Sequence, residues 1–162
     1  LVLAGIPGIY IHSLLGSRNY LKGVEETGIF RAINRQKLDL NVLEVELRNP
    51  ISLRSLVISG YEKLIFCRIM EQAFHPNADQ KILHLSSTVF SVLRSTSDRK
   101  EMILALQNIT NQTQTITIPM NTFGDVEIKE LVDVLTQRTF SPYLEITIQM
   151  TPYEIIWLKP HN

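Results

Sequence analysis

The chain has 162 residues, 44% of them hydrophobic, with sixteen basic and sixteen acidic side chains. That length suits one domain or two small packed units with a real core, and the even charge balance carries no electrostatic footprint for nucleic acid or an anionic membrane. A single cysteine, Cys67, excludes an internal disulfide and a cysteine-based zinc site, a usage that fits a reducing, cytoplasmic setting.

The opening run LVLAGIPGIYIHSLLG starts on Leu1 and lacks the basic leader and small-residue cleavage site of a secretory signal. It is too short, and too interrupted by Gly5, Pro7 and Gly8, to span a membrane. Its segment GIYIH, residues 8 to 12, is apolar without alternation, which predicts a strand buried on both faces as in a parallel sheet. A chain that opens on a core strand reads as a piece of something longer. Residues 16 to 35 are polar and glycine-punctuated without a clear period, a long loop of the kind that carries function.

Asn41 and Glu44 have the spacing of an N-cap and its reciprocal partner and predict a short helix over 42–48. Asn49-Pro50 restarts a helix with Pro50 in its first turn. The segment 51–73 has near-helical apolar spacing, with Leu56, Tyr61 and Leu64 directed to a core and Arg54, Glu62 and Lys63 to water. His75-Pro76-Asn77 ends it, because proline disfavours helix in the residue before it.

Beyond Asn77 the pattern turns to period two: KILHL, TVFSVLRST, EMILALQNI, TQTITIP, LEITIQM and YEIIWL, separated by turn-like clusters. Ser97-Asp98 is expected to turn a hairpin between the second and third of these, and Asn111-Gln112 between the third and fourth. Six to eight such strands predict an antiparallel sandwich. The chain thus reads as α+β, with residues 1–76 as an α/β piece and 77–162 as an all-β piece.

Chemistry-bearing motifs are sparse. His12, His75, His84 and His161 are scattered without ligand spacing, so no metal and no cofactor are expected. Cys67 sits in an apolar helical stretch and reads as a structural thiol. GIPGIY lacks the lysine and third glycine of a phosphate loop. Glu25 and Glu26 are adjacent, so their side chains diverge and do not flank one bond as a glycosidase pair does. Asn108 and Asn111 head glycosylation-type tripeptides that an Asn- and Thr-rich turn equally explains. Arg31, Asn34 and Arg35 remain. Two cations four apart at a helix start repel each other and oppose the helix dipole. The residues leave two readings open: a solvated surface pair, or a fork of donors for a carboxylate or sugar hydroxyls.

The order GIPGIYIHSLLGSRN, GVEETGIFRAINR, EQAFHPNADQKILHL and a sandwich ending in TPYEIIWLKP resembles the C-terminal end of sucrose-phosphorylase-like enzymes of the α-amylase superfamily. The resemblance runs in order over essentially the whole chain. It implies the last βα unit of a (β/α)8 barrel over 1–76, with residues 6–12 as the eighth strand and 51–73 as the final barrel helix, followed by a C-terminal β-sandwich over 77–162. It implies retaining transfer of glucose from sucrose or a related α-glucoside to phosphate, giving α-glucose 1-phosphate, through a nucleophilic aspartate and a glutamate acid/base on earlier strands. No catalytic residue then falls in this chain, and the chain by itself is expected to be inactive. Arg31, then Arg35, is implied to contact the donor glucose beside an aspartate from an early loop, and Asn34 to support the loop. An incomplete barrel exposes apolar surface, so the missing barrel segment or self-association is the expected protein partner. Two rival readings are a hydrolytic or transglucosylating relative and a non-catalytic β-sandwich that stacks sugars on Trp157, Tyr143 and Tyr153.

Overall fold

A computed structural model describes residues 1–161. The chain forms two compact units, one of Pro7–Ile65 and one that joins Leu1–Ile6 to the chain from Phe66 onward. The boundary between these compact units falls at residue 65/66, within a helix.

The β-rich unit is built on an antiparallel six-stranded sheet in the order β1-β2-β3-β8-β5-β6. Its strands are β1 (Asp79–Leu83), β2 (Val89–Ser95), β3 (Met102–Asn108), β5 (Glu130–Asp133), β6 (Thr139–Phe140) and β8 (Ile155–His161). A separate pair joins β4 (Gln114–Pro119) to β7 (Glu145–Met150). The six expected strands are all present, and the short β5 and β6 are additions that ELVD and TF are too brief to announce. Thr96-Ser97-Asp98 does turn β2 into β3, with Thr96 N–H donating to Glu101 O at 3.0 Å. Asn111-Gln112 does not make a hairpin. It carries the chain from β3 to β4, which pairs with β7 in the other sheet.

Register explains why β2, β3 and β8 lack alternation. Leu93 faces Leu104, and Leu104 faces Leu158, and this face packs on Ile116, Ile118, Ile148 and Met150 of the small sheet. The opposite face presents Val92, Arg94, Ile103, Ala105 and Trp157, all buried. Its cover comes from Leu1–Ile6 and from the stretch that follows α4 (Leu53–Met70). Phe74, in a 3-10 turn over Gln72–Phe74, lies against Trp157 with ring centroids 4.6 Å apart. Strands covered on both faces have no solvent side on which to place polar residues.

Two buried arginines fix this cover. Arg94 donates from Nε to Asp79 O (3.1 Å), from Nη1 to Val2 O (2.9 Å) and from Nη2 to His75 O (2.8 Å) and Ala78 O (3.2 Å). Arg68 donates to Leu1 O and, at 3.1 Å, to Gly5 O. Their guanidinium carbons lie 5.7 Å (Arg68) and 6.0 Å (Arg94) from the Phe74 ring centroid. Burial lowers the pKa of both groups below the ordinary arginine value, and for Arg94 the Arg68 charge adds to it. Beside them Lys159 bonds Glu71, and Glu101 at 3.1 Å. Burial pushes its ammonium down, but the hydrogen bonds and charges of the two carboxylates outweigh that and leave its pKa raised.

Asp133 ties β5 to β8. Its Oδ1 accepts from Trp157 N–H at 2.9 Å and Leu135 N–H at 3.2 Å, and its Oδ2 from the Thr136 hydroxyl at 2.5 Å. Cys67 lies at intermediate burial with its Sγ 3.7 Å from Val134 O, a structural placement. Asn108 is buried and donates to Gln112 O and Thr151 O, so its side chain is a turn anchor.

In the Pro7–Ile65 unit the structure differs from the sequence reading in several places. Residues 8 to 12 are not a strand: no regular structure precedes Ile11, and α1 spans Ile11–Leu14. A strand needs a neighbour for its backbone donors and acceptors, and no described strand lies in this unit. The stretch 16–35 is not structureless, because α2 (Leu21–Thr27) and a 3-10 turn (Phe30–Asn34) lie within it. Gly28 ends α2 at φ +67°, with its N–H on Val24 O at 2.8 Å. Helix α3 spans Leu40–Arg48 and is capped by Asp39, whose Oδ1 accepts from Val42 N–H at 3.1 Å. Asn41 lies inside that helix, and Glu44 pairs with Arg48 at 3.1 Å instead of reaching back to a cap. Helix α4 starts after Pro50, where Ser52 Oγ accepts from Ser55 N–H at 3.0 Å, and it stops at Met70 rather than 73. Leu56 is exposed and Tyr61 and Leu64 are half-buried, whereas Arg54 is largely covered.

Arg94→Met removes one donor from each of four carbonyls; His75 O keeps the Ala78 N–H at 2.9 Å, while the Val2 and Ala78 carbonyls have no other described donor. Each such orphaned group costs about 1–3 kcal/mol, so urea denaturation should show a loss of about 3 kcal/mol or more. A loss within about 0.5 kcal/mol, the range of an ordinary surface substitution, would dismiss the arginine as an anchor.

Candidate functional site

Within Pro7–Ile65, the polar residues around the former loop converge on a cleft of about 180 Å³ lined by Tyr10, His12, Ser17, Arg18, Asn34 and Gln36. Three backbone events shape it. The Tyr10 hydroxyl donates to Asn34 O at 2.7 Å, which closes the two ends of the segment on each other. Tyr20 N–H donates to Ile33 O at 2.6 Å. Gly16 turns the chain at φ +60°, and a Cβ there would meet Val57 Cγ2 at 2.9 Å, so both conformation and space require glycine.

Arg54 organises the floor of this region. Its Nε donates to Glu46 Oε2 at 2.5 Å, and its Nη1 to Leu15 O and Ser17 Oγ, each at 3.0 Å. Ser17 Oγ lies 3.1 Å from His12 Nδ1. Ser17 Oγ accepts from Arg54, and the imidazole tautomer sets which of Ser17 and His12 donates in their contact. Arg54, Ser17 and His12 thus form one hydrogen-bonded chain that fixes this turn. A second cleft of about 310 Å³ borders it, with Gly16, Arg18, Gln36, Glu46, Ser52 and Arg54 in its walls.

The three residues expected to bind substrate occupy one short turn. Arg31 lies in the Phe30–Asn34 3-10 turn, and Asn34 and Arg35 close it. All three side chains are exposed. Asn34 contributes its backbone carbonyl to Tyr10. Among the described residues neither Arg31 nor Arg35 has an ion-pair partner. Arg18, which the sequence reading passed over, is the cation that lines both clefts. Arg54 was missed because its helical phase suggested water. The signal available was Glu46 eight residues before it, in a preceding helix.

The carboxylates of this unit are engaged or point away. Glu26 pairs with Lys22 at 3.4 Å, and Glu25 is exposed. Among the described residues no three His, Cys, Asp or Glu side chains gather as metal ligands. In the β-rich unit Trp157 is buried under Phe74 and is unavailable to stack a sugar, while Tyr143 and Tyr153 are 88% and 66% exposed. The three-aromatic platform therefore does not exist. No helix among the described residues is long and apolar enough to cross a membrane.

The fold defines a class. The chain superposes on AmyP in complex with maltotriose with a TM-score of 0.60 at 18% identity, over 70% of this chain and 22% of that one. It superposes on an Anoxybacillus α-amylase with a TM-score of 0.56 at 20% identity, over 80% and 26%. At such identities the likeness is one of fold: mixed α+β with an antiparallel β-domain, as found in part of an α-amylase. In sequence the chain is homologous to a segment of glucosylglycerate phosphorylases. It is 42% identical to that of Spirochaeta thermophila over all of this chain and 28% of the relative, and 36% identical to that of Escherichia coli over 96% and 26%. The chain spans about a quarter of the length of these curated relatives. No family model matches it. The chain is thus similar in sequence to a segment of glucosylglycerate phosphorylases and in fold to part of an α-amylase, and nothing among these relatives points to sucrose.

Arg54→Met keeps the apolar stem and removes the donors to Leu15 O and Ser17 Oγ. Hydrogen exchange of the Leu14, Leu15, Gly16 and Ser17 amides should accelerate about tenfold or more, equivalent to about 1.4 kcal/mol of local stability. Unchanged exchange there would show that the turn is held by its backbone alone.

Proposed function

We propose that this chain is the C-terminal segment of a retaining α-glucoside phosphorylase that takes glucosylglycerate and phosphate and yields glucose 1-phosphate and glycerate. The observation that carries the reading is the 42% identity to a glucosylglycerate phosphorylase along the whole chain. A match at that level through helices, clefts and β-domain alike is more than a shared sandwich would produce, and it narrows the expected substrate from sucrose to a glucoside with a carboxylate.

In this reading residues 1–76 complete a (β/α)8 barrel and 77–162 form the C-terminal domain. Residues 6–12 become the eighth strand once a sheet is present to pair with them. The stretch 16–35 then lies at the C-terminal face of the barrel strands, where barrel enzymes bind substrate. The nucleophile and acid/base carboxylates, which a retaining enzyme holds about 5 Å apart, come from other parts of the enzyme. Arg31 is the first choice and Arg35 the second for a guanidinium that pairs with a carboxylate there and donates to the glucose of the donor. Exposure suits that role, since such a group needs its partner from elsewhere. Rigid planar donors fix the sugar's orientation, which serves the transfer step only if the fork is held by a counter-charge.

The protein translated from the complete reading frame, incubated with glucosylglycerate and phosphate, should release glucose 1-phosphate, while the 162-residue chain alone should show no turnover. Faster reaction with sucrose, or release of free glucose at the same rate without phosphate, would overturn the assignment. In the complete protein Arg31→Ala should lower kcat/KM by about thirtyfold or more, the low end of the 2–5 kcal/mol for removing one partner of a buried charge pair, with the thermal midpoint unchanged. An unaltered kcat/KM would remove Arg31 from the site.

A further inference from the structure

The β-rich unit contains a second polar cleft, about 410 Å³, that the phosphorylase reading does not use. It opens at one end of the sandwich, where β1, the β2–β3 turn and the 3-10 turn Met120–Phe123 approach one another. Asp79 and Lys81 project from the same face of β1, and Lys81 stands opposite the buried Leu93, which forms part of the wall. Asn121, Thr122 and Gly124 come from the 3-10 turn and its end.

Arg99 closes the cleft from the β2–β3 turn. Its backbone has φ +57°, a left-handed conformation uncommon for arginine. Its guanidinium is packed against Gly124, such that a Cβ added there would lie 3.3 Å from Nη2 and 3.8 Å from Cζ. Gly124 itself has φ +86°, a backbone conformation that calls for glycine. The neighbouring charges do not neutralise Arg99. Asp98 is taken by Lys100 at 3.1 Å and by the Thr96 hydroxyl at 2.7 Å. Among the described residues Arg99 and Lys81 have no ion-pair partner.

We propose that this cleft is a second, non-catalytic binding site for a hexose bearing one anionic group. The volume suits a single sugar unit with its substituent. Arg99 and Lys81 supply two cations for a phosphate or carboxylate, with Arg99 able to grip it through two parallel N–H donors. The Asp79 carboxylate repels a bare anion but accepts from sugar hydroxyls, and the Asn121 amide and Thr122 hydroxyl offer both donors and acceptors. A site for inorganic phosphate alone would have no use for Asp79. A site for a neutral sugar would have no use for two cations. Both the glycoside and the sugar phosphate of the proposed reaction have the required chemistry, so the choice of ligand rests on that reading while the anionic-sugar character rests on the cleft.

The test counts sites by calorimetric titration of the complete protein with glucosylglycerate and with glucose 1-phosphate, in parallel with glucose and inorganic phosphate. The comparison protein carries Arg99→Asn and Lys81→Gln. Asparagine tolerates the left-handed backbone, and both positions are exposed, so folding is preserved. The doubly substituted protein should bind one equivalent fewer of at least one anionic sugar, with kcat/KM for phosphorolysis unchanged. Which titration loses the equivalent tells whether the carboxylate or the phosphate ester is the ligand. Equal numbers of sites in both proteins with both anionic sugars overturn the proposal, as does a lost site that glucose or inorganic phosphate fills equally well. Phosphorolysis by the unsubstituted protein is read separately, so failure of the proposed reaction is not confused with failure of the cleft.

Discussion

Much of the β-rich unit depends on a charge buried without a counter-charge. Arg94 is fully covered and spends its donors on four backbone carbonyls drawn from Val2, His75, Ala78 and Asp79. A guanidinium out of water is tolerable only when its hydrogen-bonding capacity is met by oriented dipoles. Here the dipoles belong to two segments far apart in sequence, one at Val2 and one over 75–79, so meeting the need of one side chain fixes the path of both. Arg68 repeats the device on Leu1 and Gly5, and Phe74 offers its ring to both cations. A lysine in either place would present a point charge with three donors and no planar fork. The outcome is that a large sheet, open on its second face after β4 and β7 have covered the first, acquires a lid made of irregular chain.

The two compact units handle apolar surface differently. In the β-rich unit the large side chains of β2, β3 and β8 are buried on both faces. In Pro7–Ile65, Leu40, Val45, Ile51 and Leu56 are all at least 60% exposed. Scattered exposed apolar residues are ordinary, but several large ones on two helices are a surface that water opposes. Under the proposed reading they are covered by the other units of a barrel, and the same absence of neighbours accounts for GIYIH standing without strand partners. Polar contacts such as Tyr10 to Asn34 and Arg54 to Ser17 are local, so the turn geometry is retained where the apolar packing is not.

Legibility from the sequence follows the same physics. Period-two strands are readable wherever one face sees solvent: β4 and β7 alternate cleanly and were located to within a residue or two. The β3-to-β4 connection was misjudged because a turn between consecutive strands has the same composition whether the chain returns to its own sheet or crosses to the other. Helix α2 was invisible because it is short and has Gly23 within it, where the ring of Tyr20 takes the place of a side chain. The cap of α3 was shifted by two residues since Asp39 and Asn41 are both good caps, and only the bond to Val42 distinguishes them. For the site, Arg31, Asn34 and Arg35 fall together on one turn, and Arg18 and Arg54 were not seen. Helical phase describes which face a residue occupies, and it is silent on what a long side chain reaches when it bends back under a loop.

The two cation sets in this chain differ in what they require. Arg31 and Arg35 have no ion-pair partner among the described residues; a fork without an opposing carboxylate grips its ligand loosely and loses side-chain entropy in doing so. Their usefulness is conditional on a partner charge. Arg99 is different because its backbone is held in an uncommon conformation and its guanidinium is packed on Gly124 before any ligand arrives. Preorganisation of that kind reduces the ordering that binding must impose. A conformation that costs about 1 kcal/mol or more at an exposed turn, where a glycine or asparagine would sit without strain, is most economically explained by what the side chain does from there.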